Sequence, residues 1–188
     1  MRTFIGIALP ASVRHEIAGY IDGLRAGFPG SRVGWEKGEK LHITIKFLGN
    51  TDESQLIDLK QVLEGVAAGH RAFIARLSDT GIFPNLRRPG VLWLGVSEGK
   101  ESIISIANTV ESECEHLEFP SEKRTFSPHL TIGRVRELQK ARDLATTHLR
   151  NDFESKPFAV DEVILYESKL SSAGSVYTAI SKQRLKDS

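Results

Sequence analysis

The sequence predicts an α+β fold in which largely antiparallel sheet, flanked by helices, forms two pseudo-symmetric lobes around a central cleft, within one domain covering residues 1–188. Three observations carry this. Segments of apolar/polar alternation are interleaved with segments of helical period, in the order strand, helix, strand, helix, strand, strand, helix, strand, helix, strand, strand. No glycine-rich phosphate loop stands between a strand and a helix, where a nucleotide-binding α/β fold would use one: Gly6 is single, and Gly27 and Gly30 follow a helix. Finally, His-Ile-Thr-Ile-Lys at 42–46 is echoed by His-Leu-Thr-Ile-Gly at 129–133, 87 residues later and close to half the chain.

Each element has its own signal. Thr3 to Leu9 reads as a strand closed by Pro10. Ser12 is a candidate cap for a helix whose apolar stripe is Val13, Ile17, Tyr20, Ile21 and Leu24, ending before Gly27. After a short strand at 32–35, Leu41 to Leu48 alternates strictly and stops at Gly49-Asn50. Asp52 caps a helix striped by Leu56, Leu59, Leu63, Val66 and Ala67. Phe73 to Leu77 and Val91 to Val96 read as strands, separated by Gly81-Ile82-Phe83-Pro84 and the basic turn Arg87-Arg88-Pro89-Gly90. Ile103, Ile106, Ala107, Val110 and Cys114 fit a third helix, and a loop over 118–127 leads to the strand Pro128 to Val135. A helix over 138–149 and strands over 158–166 and 175–180 complete the chain, with a polar tail expected to fray from Lys182.

Composition bounds the function. The 25 basic and 24 acidic residues leave a formal charge of +1, which excludes a broad non-specific binder of long nucleic acid but allows a local basic cleft for a chain end. The one cysteine, Cys114, excludes an internal disulfide, and the apolar patch Phe4 to Pro10 is too brief for a signal peptide. No run approaches the ~20 apolar residues that span a bilayer. A cytoplasmic location without membrane association is expected.

The chemistry sits in the repeated strands. Residues two apart on a strand share a face about 7 Å apart, so His42 pairs with Thr44 and His129 with Thr131, opposite Leu41, Ile43, Ile45 and Phe47 in one copy and Leu130 and Ile132 in the other. Composition alone predicts fewer than one His-x-Thr triplet, and two are present in matching settings. Phosphoryl transfer to water needs a base and an acid on opposite sides of phosphorus. Two histidines on separate lobes can supply them, because imidazole is readily held in either protonation state near neutral pH. Threonine hydroxyls can hold the non-bridging oxygens without adding charge. A strained cyclic phosphate with an internal leaving hydroxyl needs no metal. Zinc would need a third or fourth ligand, which Cys114 does not supply but a carboxylate could; a serine nucleophile is disfavoured, since no Gly-x-Ser-x-Gly elbow occurs.

His-Ile-Thr-Ile-Lys-Phe-Leu-Gly at 42–49, with Ser-Pro-His-Leu-Thr-Ile-Gly-Arg at 127–134, resembles the 2H phosphoesterases. Within them it is similar to the bacterial and archaeal RNA 2',3'-cyclic phosphodiesterases once named 2'-5' RNA ligases. The likeness extends over Thr3 to Leu9, Trp35, residues 81–84, Val91 to Gly95, and Glu167 to Leu170 with Gly174 and Tyr177. It implies the bilobal fold described above and hydrolysis of a 2',3'-cyclic phosphate at an RNA end to a 2'-phosphate, without cofactor or metal. Some members of the family also join or cleave 2'-5' linkages in tRNA halves. It further implies a monomer with no obligate protein partner. His42 would be the proton donor and His129 the acceptor, an assignment that the pseudo-symmetry leaves open to reversal. Thr44 and Thr131 would hold the phosphate.

Further substrate contacts are weighed against structural roles. Arg134 matches a phosphate-binding position of the family, yet simple alternation sends it opposite His129, so a bulge must re-aim it if it acts. Lys46 shares the face of His42 and Thr44. Arg87 and Arg88 form a basic turn that could meet an RNA backbone. Phe83 and Phe126 are the candidates for stacking on a terminal base, whereas Phe47 is assigned to the core. Two other functions fit the same residues: a non-catalytic RNA-end binding module, and a phosphodiesterase for a small cyclic nucleotide or ADP-ribose cyclic phosphate.

Overall fold

The computed structural model describes residues 1–171 and 174–187. Among these, two sheets are covered by helices. The chain runs through β1 (Arg2–Ala8), α1 (Ala11–Gly27), β2 (Val33–Trp35), β3 (His42–Asn50), α2 (Glu53–Gly69), β4 (Phe73–Asn85), β5 (Arg88–Glu98) and α3 (Lys100–His116). It continues through β6 (His129–Val135), α4 (Arg142–Leu149), β7 (Phe158–Val160), β8 (Glu162–Ser171) and β9 (Gly174–Arg184). The strand orders are β3-β1-β8-β9 and β2-β6-β5-β4-β7, with every named strand pair antiparallel. This is the α+β class expected from alternation, with one histidine strand in each sheet.

The helices bury the stripes that their periodicity prescribes. Val13, Ile17, Ile21 and Leu24 of α1, Leu59, Leu63 and Val66 of α2, and Ile103, Ile106 and Val110 of α3 are all buried. They join the inward residues Ile5, Ile7 and Ile43 of the first sheet and Leu92, Leu94, Leu130 and Ile132 of the second in one apolar cluster. Each such side chain contributes about 1.5–3 kcal/mol by leaving water. The motif strands are therefore held from behind.

Boundaries differ from expectation where tertiary contacts decide them. Asp52 does cap α2, in a reciprocal capping box with Gln55. Ser12 does not cap α1, which starts one residue earlier behind Pro10, a ring with fixed φ that leads directly into the first turn. Residues 73–85 form one strand, because Asp79 in the left-handed region absorbs a misfit and both halves stay paired with β5. The expected strand at 158–166 splits after Val160: β7 pairs with β4 and β8 with β1, so the chain changes sheet at Asp161. The helix expected at 138–149 begins as a 3-10 turn, Leu138–Lys140. The tail does not fray at Lys182. β9 runs to Arg184, Leu185 is buried, and its N–H donates to the Asp161 carbonyl.

Candidate active site

Both histidines are fixed by the same local device. His42 Nδ1–H donates to the Lys40 carbonyl at 2.6 Å, and His129 Nδ1–H to the Ser127 carbonyl at 2.8 Å, in each case two residues upstream. A carbonyl can only accept, so each ring carries its proton on Nδ1 when neutral and leaves Nε2 for chemistry. His42 Nε2 lies 3.0 Å from Thr44 Oγ1, as strand periodicity requires. β3 and β6 come together across the interval between the sheets.

A second device is also duplicated. In the β1–β3 ladder Ile5 pairs with Lys46 but Gly6 with Thr44, so Ile45 is an extra residue. In the β5–β6 ladder Leu92 pairs with Gly133 but Trp93 with Thr131, so Ile132 is extra. The bulge falls three residues after the histidine in both strands, and it turns two consecutive residues toward the helices. The side chains immediately beyond it, Lys46 and Phe47 in β3 and Gly133 and Arg134 in β6, change face.

The bulges correct two assignments and account for a third. Lys46 is not in the cleft: its side chain is 4% exposed, its Nζ lies 2.7 Å from Glu111 Oε2, and it also donates to the Pro120 carbonyl. Phe47 is not core, being 70% exposed on the cleft side. Phe126, in the loop before β6, is partly buried against the apolar cluster and does not line the cavity described below. Arg134 is delivered to the cleft by the bulge that its role would require. Arg87 and Arg88 stand exposed at the β4–β5 turn, where Asn85 Oδ1 accepts from both their backbone N–H groups, and neither lines the cavity described below.

The two rings sit in different surroundings. His42 packs against Phe4 with centroids 4.7 Å apart and meets Tyr177 edge-on at 5.1 Å. Burial, with Arg134 nearby, lowers its pKa, opposed by the Lys40 carbonyl. Phe83 meets His129 edge-on at 5.0 Å and in turn packs on Trp93 at 5.1 Å. Gly81 makes that wall possible, because a Cβ there would lie 1.9 Å from the Trp93 indole. Beneath Trp93, the buried His148 donates from Nε2 to the Gly81 and Trp93 carbonyls and accepts from the Tyr20 hydroxyl at Nδ1.

A cavity of about 510 Å³ opens between the sheets beside His42. None of the four motif residues lines it directly; His42 adjoins it by packing against Phe4 and Tyr177, which do. Arg134 reaches it from β6 and Arg136 from just past its end, Phe47 from β3, and Glu36 and Lys40 from the segment between β2 and β3. Glu36 Oε1 lies 3.7 Å from Arg134 Nε; burial raises its pKa, opposed by Arg134 and Lys40. Sequence reasoning missed Phe4, Phe47, Glu36 and Tyr177. Only Phe47 carried a usable signal, its position five residues after a histidine, which matches Arg134. Among the described residues no group of three His, Cys, Asp or Glu is placed to hold a metal ion, and no helix is long and apolar enough to cross a membrane.

Comparison with known proteins places these features in a family. The profile of the 2'-5' RNA ligase superfamily matches residues 13–171. An RNA 2',3'-cyclic phosphodiesterase of Methanothermobacter thermautotrophicus is 32% identical over 98% of this chain and 99% of its own length. One from Aquifex aeolicus is 30% identical over 78% of both chains. Among solved structures, TT0787 of Thermus thermophilus superposes with a TM-score of 0.83 at 26% identity, covering 100% of this chain and 99% of that one. E. coli LigT complexed with 3'-AMP gives 0.78 at 25% identity, covering 98% and 97%.

Proposed function

The chain belongs to the 2'-5' RNA ligase superfamily, and we propose that it is an RNA 2',3'-cyclic phosphodiesterase that opens the terminal cyclic phosphate to a 2'-phosphate, with His42 and His129 as proton donor and acceptor. The observation that carries this reading is the matched anchoring of the two imidazoles: each Nδ1–H is held by the carbonyl two residues upstream, which makes Nε2 the nitrogen for proton transfer, that of His42 accepting from Thr44 Oγ1 in the free protein.

In this reaction His129 Nε2 takes a proton from water as its oxygen forms a bond to phosphorus. The bond from phosphorus to the 3' oxygen breaks on the far side, and the proton on His42 Nε2 passes to that oxygen. The products are a 2'-phosphate and a 3'-hydroxyl, and exchange with solvent returns the histidines to their starting states. Thr44 and Thr131 donate to the non-bridging oxygens, and Arg134, oriented by Glu36, offsets the charge that develops there. Burial disfavours the imidazolium of His42 in the free protein. The anionic phosphate reverses that preference by proximity, so His42 takes up its proton as substrate binds and is then a strong acid. Phe47 and Phe83 offer aromatic faces to the terminal nucleoside.

The substrate on this reading is an RNA end bearing a 2',3'-cyclic phosphate, including tRNA halves, met by a monomer in the cytoplasm without metal or cofactor. A 5'-hydroxyl in place of water would use the same pair and yield a 2'-5' linkage. The deciding experiment is product analysis on a short RNA ending in a 2',3'-cyclic phosphate. A 2'-phosphate is expected; a 3'-phosphate, or no reaction, overturns the reading.

A further inference from the structure

The cavity is far more positive than the chain that forms it. Arg2, Lys37, Lys40, Arg134 and Arg136 line it with one carboxylate, Glu36, although the formal charge of the whole protein is +1. Arg2, Lys37, Lys40 and Arg136 have no ion-pair partner among the described residues. What sets these cations apart is their clustering around one cavity with a single carboxylate, since exposed cations elsewhere, such as Lys60 and Arg142, also lack an ion-pair partner among the described residues. Concentrating unpaired like charges costs folding energy, and a bound polyanion would repay it.

The charges are also arranged in order. Beyond the bulge at Ile132, Arg134 on β6 and Arg136, just past its end, both reach the cavity, so two cations two residues apart in the chain can meet successive phosphates. Gly34 on β2 makes room for the second of them: a Cβ at Gly34 would come 3.1 Å from both Nε and Nη2 of Arg136. Arg2, at the start of β1, lines the cavity from the other sheet, and the groove continues past Arg136 along Ser31 and Val33. A cyclic phosphate ends its RNA at the 3' side, so any chain beyond the terminal nucleotide leads away in the 5' direction only.

We propose that the Arg2, Lys37 and Arg136 end of the cavity is a phosphate subsite for the internucleotide phosphate on the 5' side of the terminal nucleotide, so that the protein selects an RNA chain over a free nucleoside 2',3'-cyclic phosphate. This rests on the phosphodiesterase reading above and names its substrate class.

The test compares kcat/KM for a dinucleotide ending in a 2',3'-cyclic phosphate with kcat/KM for the nucleoside 2',3'-cyclic phosphate of the same terminal base. The wild-type protein favours the dinucleotide. Arg136→Gln lowers the ratio about ten-fold, the loss of one charge-assisted contact, and Arg136→Lys recovers part of it. The salt slope for the dinucleotide becomes shallower by about 0.7 in Arg136→Gln, the value for one phosphate contact on a single strand. A ratio unchanged in Arg136→Gln and in Arg2→Gln/Arg136→Gln, or equal losses on both substrates, overturns the subsite. Turnover of neither substrate by the wild-type protein removes the phosphodiesterase reading itself.

Discussion

The two histidine strands share a backbone plan and differ in what it delivers. In β3 and β6 alike the histidine is followed two residues on by threonine and three residues on by a bulged isoleucine. The fourth residue then turns toward the helices and the fifth toward the cleft. In the first sheet these are Lys46, held by Glu111, and the aromatic Phe47. In the second they are Gly133, which a Cβ would drive to 2.8 Å from Val33, and the cation Arg134. One repeat therefore presents an aromatic ring and the other a cation to the same cavity. On the proposed mechanism, duplicated geometry would supply the symmetric part of an in-line reaction, and the unequal side chains at matched positions would hold an asymmetric substrate.

The largest expected effects test the shared part. His42→Ala and His129→Ala should each lower turnover of a cyclic-phosphate RNA by at least ~100-fold, the low end for removing a general acid or base. Near-normal turnover in either variant would break the equivalence of the two strands. Arg134→Gln tests the unequal part and should lower kcat/KM by about 100-fold, as for loss of one oxyanion contact. Phe47→Ala should instead raise KM about ten-fold with little change in kcat, since stacking is worth about 1–3 kcal/mol per base. If both variants affected kcat alike, the division of labour between the lobes would be wrong.

Lys46→Met probes the residue that the bulge removes from the cleft. Leaving Glu111 unpaired should lower Tm, by up to about 3 kcal/mol of stability, while kcat/KM in the folded variant stays within about two-fold. A folded variant with lost activity would return Lys46 to the site.

The smallest effects come from pH. His42 and His148 both have lowered pKa values through burial, so the unfolded chain binds protons that the folded one refuses. Their stabilisation is full above about 6.5, the unfolded value, and is lost as pH falls from there through the folded pKa values. Thermal denaturation should show Tm falling over that window, less steeply in His42→Gln. Binding of a 2'-phosphorylated product near pH 7 should take up a fraction of a proton, read as a buffer-dependent binding enthalpy. Proton release would argue that His42 is the acceptor.

How much was legible depended on whether a signal was local. The helix stripes, the Asp52 cap, the alternation that puts His42 beside Thr44, and the echo at His129 are set by neighbours in the chain, and the structure contains them. The sheet change at Asp161 was hidden because the apolar stretches on either side of Asp161-Glu162, Phe158 to Val160 and Val163 to Leu165, are alike in composition but join different sheets. Leu185 looked like part of a polar tail until Asp161 was placed beside it. Phe47 and Lys46 were exchanged because period two assumes an unbroken ladder.

What the sequence determined by itself was the chemistry: two imidazoles and two hydroxyls on strand faces opposite the apolar residues, since side-chain alternation over two or three residues needs no partner strand. What only the tertiary structure decided was the lining of the cavity. Phe47 and Arg134 reach it because a bulge exists only in a paired ladder, and Glu36 and Arg136 join them from segments flanking β2 and β6. Which residue becomes the extra one depends on how β1 and β5 set their register against the motif strands.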